Sequence, residues 1–122
     1  MLIVDPYLDE AVLTEFGGAI PLGVTLRLLS DHANHKPTLS PAAARWVAAQ
    51  YGVQRPLAVR LAPEKALHDR VILIDGTNDW LLTQSLKDFA KRSPAEIVRA
   101  DDTAALKIAA YEAIWAAAAV VV

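Results

Sequence analysis

His68 and Arg70 stand one residue apart at the head of the apolar run Val71-Ile72-Leu73-Ile74. In extended chain, side chains two positions apart point the same way, so an imidazole and a guanidinium share one face. Asp75-Gly76-Thr77-Asn78-Asp79 then supplies turn chemistry, and Trp80-Leu81-Leu82-Thr83 begins a second strand. A hairpin here returns Thr83, Ser85 and Lys87 to the end of the sheet that carries His68 and Arg70. A nucleophile or base, two cations and hydroxyls gathered in one place make a site for a phosphate.

His68-x-Arg70 followed by Asp75, and then by a serine-containing turn, resembles the HxK(x)4D…GSxN signature of the phospholipase D superfamily. It is more closely similar to the bacterial branch of phospholipase D-like domains that read HDR…D…GxSLKD. The lead-in Ile3-Val4-Asp5-Pro6-Tyr7-Leu8 and the later Ala95-Glu96-Ile97-Val98 fit the same pattern, and the likeness spans most of the chain. The resemblance implies that His68 attacks phosphorus to form a phosphohistidine while a second histidine protonates the leaving oxygen. No metal or cofactor is then needed, provided cations stabilise the equatorial oxygens. Arg70 stands where the family usually has lysine, and its planar fork suits bidentate phosphate contact. On the SLKD form Ser85 is the phosphate-binding hydroxyl and Lys87 the second cation. On the GSxN form Thr83 takes the hydroxyl position and Ser85 the amide position. Ser85-Leu86-Lys87-Asp88 matches the former residue for residue, although Thr83 occupies the place usually held by glycine. Glu96 is the carboxylate that would orient the attacking imidazole. Asp75 completes the motif and reads as an acceptor for turn amides.

The elements that must position these residues follow from pattern. Leu2–Asp5 reads as a strand closed by Pro6, and Leu8 to Phe16 as a helix with Asp9 and Glu10 at its positive end and Gly17-Gly18 terminating it. Val24–Leu29 is the second strand, and Ser30 to Thr38 a polar loop. A second helix is capped by Ser40, with Pro41 at its first position and Ala42 to Gln50 following. Leu57–Leu61, Arg70–Ile74, Trp80–Thr83 and Glu96–Ala100 are four further strands. A last helix starts near Asp101-Asp102 and continues past Trp115. This order predicts an α/β fold, a mixed sheet flanked by helices, which agrees with the phospholipase D/nuclease-like fold that the resemblance implies.

The 122 residues are enough for a single domain with its own core. With 54 % hydrophobic and 21 % charged residues the chain is neither disordered nor collagen-like. A net charge of −2 gives no general attraction to nucleic acid, so anion binding must come from a local cluster. The absence of cysteine excludes a disulfide framework and a thiolate zinc site, and fits a reducing, cytoplasmic compartment. No basic n-region or long apolar core marks a signal peptide. A chain that opens almost directly in a strand fits a domain excised from, or part of, a larger protein.

Asp31-His32-Ala33-Asn34-His35 offers two histidines and a carboxylate, but the surrounding Asn, Lys and Pro favour a loop and no further ligand pair is evident, so no metal is expected. Lys91 and Arg92 are at most peripheral backbone contacts, and Trp46 and Tyr51 read as packing residues. From Ile108 to Val122 the only charged residue is Glu112. That is more apolar than a helix resting on a sheet requires, and shorter than the about 20 residues of a membrane span. Its outer face is therefore expected to meet another protein surface. One HxK-type motif in a mechanism that uses two gives a separate reason for a homodimer, or for pairing with a second such half. The leading expectation is a metal-independent phosphodiesterase, most simply a nuclease acting on DNA. The alternatives are a phospholipid headgroup hydrolase or transferase, and a degenerate domain kept for phosphate or nucleic-acid binding or for dimerisation.

Overall fold

The computed structural model describes all 122 residues. Seven strands form one mixed sheet: β1 (Leu2–Val4), β2 (Leu26–Asp31), β3 (Leu57–Ala62), β4 (Val71–Ile74), β5 (Asn78–Leu82), β6 (Ile97–Arg99) and β7 (Ala119–Val120). Their spatial order is β6-β5-β4-β1-β2-β3-β7. Strands β1, β2 and β3 run parallel, and every other pairing is antiparallel. Four helices accompany the sheet: α1 (Ala11–Thr14), α2 (Leu39–Ala48), α3 (Tyr51–Gln54) and α4 (Ala104–Ala117).

Alternation along the strands divides the core into two. Ile3, Leu26, Leu28 and Val59 meet Val12, Leu13, Leu39, Ala42 and Ala43 from α1 and α2. Leu2, Val4, Leu29, Val71 and Leu73 meet Tyr111, Trp115 and Ala118 at and just beyond α4. Both faces of β1 and β4 are therefore covered, as their unbroken apolar sequence requires. Trp115 fixes α4 to the sheet. The guanidinium groups of Arg27 and Arg60 lie 5.3 and 4.7 Å from its ring centroid, and Arg60 Nη1 donates to its carbonyl at 2.8 Å. Glu112 accepts a two-pronged pair from Arg27 at 2.8 and 2.5 Å. The outward face of α4 is mostly alanine, with Leu106 78 % exposed. No helix is long and apolar enough to cross a membrane.

Several boundaries differ from the sequence expectation. The first helix spans only Ala11–Thr14, and Gly17–Ala19 continues as a separate 3-10 turn. The second begins at Leu39, ahead of Ser40, and Thr38 gives its hydroxyl to Glu10 instead of capping the helix. Asp101-Asp102 forms a 3-10 turn before α4. Strand β2 extends to Asp31, whereas β6 is three residues long. Two elements were not foreseen: α3, and β7, whose Ala119 and Val120 pair with Leu61 and Arg60. A continuous Ala/Val tail reads as more helix. The unmatched edge of β3 captures it as a strand instead.

Asp79 also departs from expectation. It reads as a turn residue but lies within β5, with its side chain wholly out of solvent. Neither of its carboxylate oxygens has a hydrogen-bond partner. The Thr103 hydroxyl, which would be a natural donor, bonds the Ala100 carbonyl at 3.2 Å. Lys107 Nζ sits 3.8 Å from Asp79 and is shared with Asp69 at 3.7 Å. Burial pushes the Asp79 carboxyl above its ordinary range, more than Lys107 pulls it down. A raised folded-state value means that the stabilisation is complete below the unfolded value and is lost as pH rises through the folded one. Asp79→Asn is therefore expected to stabilise the fold more at pH 8 than at pH 4. Urea denaturation of both proteins at the two pH values checks this. A pH-independent difference would contradict it.

Candidate functional site

The chain builds β1, β2 and β3 outward in one direction, then crosses back to lay β4, β5 and β6 on the other side of β1. The junction of β1 and β4 is thus the point where strand order reverses, and in open α/β sheets ligands bind in the crevice at the carboxyl ends beside such a point. At that end of the sheet stand Asp5, directly after β1, and Arg70, directly before the antiparallel β4.

Asp5 organises the junction. It is fully buried and accepts from three donors: Tyr7 N at 3.0 Å, Leu86 N at 2.8 Å, and the Ser85 hydroxyl, which is 3.0 and 2.9 Å from its two oxygens and shares one proton between them. Burial raises its carboxyl above the ordinary range, and the three donors and the nearby Arg70 charge partly offset this. The hairpin turn supplies the register. Asp75 and Gly76 both take positive φ, +53° and +67°, the conformation that Asx-Gly tolerates best. Strand β5 then runs back beside β4 until Leu82 N donates to Arg70 O at 2.8 Å. The next residues swing across to Asp5, and Ser85 caps the short 3-10 turn Leu86–Asp88.

Alternation continues through the motif. Asp69 turns to the α4 face, where it accepts from the Tyr111 hydroxyl at 2.6 Å; burial and this carboxylate hold the phenol well above its ordinary range. Arg70 turns to the opposite face, within electrostatic reach of Asp5. Its Nε is buried without a partner, and no ion pair occupies its guanidinium. His68 falls on the same side of the alternation as Arg70 and is exposed. The structure thus brings together Arg70, Ser85 and the unforeseen Asp5, and leaves the His68 imidazole exposed two residues before Arg70 with no side-chain partner in the chain.

The remaining residues named from sequence divide differently. Lys87 reaches this end of the sheet but its ammonium is paired with Asp88. The Thr83 hydroxyl accepts from Glu96 N at 2.8 Å and donates to Glu96 O at 3.3 Å, so it stitches β5 to the segment before β6. The Glu96 carboxylate is exposed at the sheet's margin and bonds nothing in the chain, His68 included. Asp75 sits in the hairpin turn at the far end of β4 from Arg70, where its charge is felt by the amino terminus of Met1. It does not meet the imidazole. Asp31 accepts from Ala33 N, Asn34 N and Lys65 N, tying the loop after β2 to the loop after β3, and His35 Nδ1 lies 2.8 Å from Asp31 O. Both groups serve that turn.

No family model, no curated protein and no solved structure matches this chain. Its reading therefore rests on the residues and their geometry. One signal could have found Asp5: a carboxylate ending an apolar strand and followed by proline has no water-exposed position to take.

Proposed function

We propose that this chain is a phospholipase D-like domain that engages a phosphodiester at the β1–β4 junction, acting as a metal-independent phosphodiesterase on nucleic acid. The observation that carries the reading is the unpaired Arg70 guanidinium at the strand-order switch, with an exposed imidazole two residues before it. Arg70 would hold two phosphate oxygens while His68 attacks phosphorus. Asp5 and Ser85 would set the position of this end of the sheet; they are positioning residues. A second imidazole is required to protonate the leaving oxygen, and two-fold pairing of chains would supply it.

A second reading has its own support. Ser85 donates its one hydroxyl proton to Asp5, and the Lys87 charge is offset by Asp88, so neither group is committed to a phosphate. That arrangement favours a domain that binds phosphate through Arg70 without cleaving.

Incubation of single- and double-stranded DNA with the protein in EDTA separates the two, with light scattering reporting the oligomer. Catalysis predicts EDTA-resistant cleavage by a dimer. Salt-sensitive DNA binding by a dimer with no cleavage would favour the binding domain, and a strict monomer that neither binds nor cleaves would sink both.

A further inference from the structure

A cavity of about 590 Å³ opens between α1 with its following 3-10 turn and the α2–α3 pair, and it shares no residue with the β1–β4 junction. Its size is that of a small-molecule site. Two aromatic side chains form part of the wall: Trp46 and Tyr51 have ring centroids 5.3 Å apart and planes 34° from parallel. The indole is held in place. Its Nε1 donates to Arg55 O at 3.0 Å, and it lies so close to Gly17 that a Cβ there would come within 2.7 Å of the ring. The remaining lining is small or apolar apart from the Thr14 hydroxyl and two guanidinium groups, Arg45 and Arg55.

The charged side chains that line the cavity are both positive. Arg55 is fixed by Ile20 O at 3.0 Å and Gly18 O at 3.5 Å through Nε and one Nη, which leaves the other Nη without a partner in the chain. Arg45 is exposed and makes no ion pair. No carboxylate lines the cavity, although the chain as a whole carries a net charge of −2. A rigid aromatic wall beside two guanidinium groups with unused donors matches a flat ring that carries a negative group. The ring would lie against Trp46 and the anion would meet the arginines. We propose that this cavity is a binding site for a small aromatic anion, independent of the phosphodiester site.

The probes are 2-naphthoate and its neutral analogue 2-naphthalenemethanol, added to the full chain while the indole N–H resonance of Trp46 and the heat of binding are followed. Naphthoate is expected to shift that resonance with a Kd below about 1 mM. The neutral analogue should bind about tenfold or more weakly. Arg45→Glu removes a side chain with no ion pair to lose, so the fold should be retained, as the melting temperature would show. This variant should weaken naphthoate about tenfold and leave the neutral analogue unchanged. Gly17→Ala, which forces the indole out of its place, should weaken both. Absence of any Trp46 shift at saturating naphthoate, equal affinity for the neutral analogue, or unchanged affinity in Arg45→Glu would overturn the assignment.

Discussion

Asp5→Ala is expected to destabilise the fold by about 3 kcal/mol or more, a loss out of proportion to one small side chain. Three donors converge on this carboxylate, and two of them, the Leu86 amide and the Ser85 hydroxyl, are about 80 residues away in the chain. Truncation orphans the buried Leu86 amide outright, and each stranded buried donor costs about 1–3 kcal/mol. The turn Leu86–Asp88 then loses its tie to β1, and Leu86 its place in the core. Part of the loss is offset because a carboxylate held above its ordinary range is already unhappy in its charged form. Asp5→Asn keeps one acceptor and the shape, so it should cost roughly half as much, since about half of the acceptor capacity remains. Urea denaturation of the two variants decides the matter. If Asp5→Ala falls within about 0.5 kcal/mol of the wild type, as a plain surface substitution would, the junction is not organised around this residue.

His68→Ala should do the opposite, leaving the fold intact and removing the chemistry. The imidazole is exposed and makes no hydrogen bond in the chain, so its loss should change stability by less than about 0.5 kcal/mol. On the proposed mechanism no other nucleophile replaces it, and the phosphodiester cleavage that mechanism predicts should fall by about 10³-fold or more, in kcat and not in KM. Arg70→Gln should lower both kcat and affinity, because a phosphate clamp acts on bound substrate and on the developing charge alike. The pair of phenotypes is diagnostic. A His68→Ala variant that binds and cleaves DNA like the wild type would remove the histidine from the mechanism.

Much of this arrangement is legible in the amino-acid sequence. The apolar strand after Arg70 and the Asp75-Gly76 hairpin that returns the chain beside Arg70 both follow from local pattern. These are local rules, and local rules survive folding. What escaped the sequence depends on distant partners. Asp5 and Ser85 meet only because β5 ends beside the start of β4, and β4 lies against β1. Asp79 sits in a polar stretch that looks like a turn, yet β6 and α4 close over it and draw Lys107 towards it. Two residues expected at the phosphate have partners within the chain instead of standing free. Thr83 is consumed by cross-strand bonding to Glu96, and Lys87 by its neighbour Asp88; spacing alone cannot reveal that a group is already engaged.

The most direct measurement uses a thymidine 5′-monophosphate nitrophenyl ester as substrate. Its phenolate leaves without a proton, so attack by one imidazole requires no second histidine and no dimer. Quenched in denaturant in the presence of EDTA and digested, the wild-type protein should yield an acid-labile, alkali-stable thymidylate adduct on the peptide carrying His68, absent from His68→Ala. Hydrolysis of the ester that persists undiminished in His68→Ala, or an adduct on any residue other than His68, would contradict the proposal that the β1–β4 junction presents this imidazole to phosphorus.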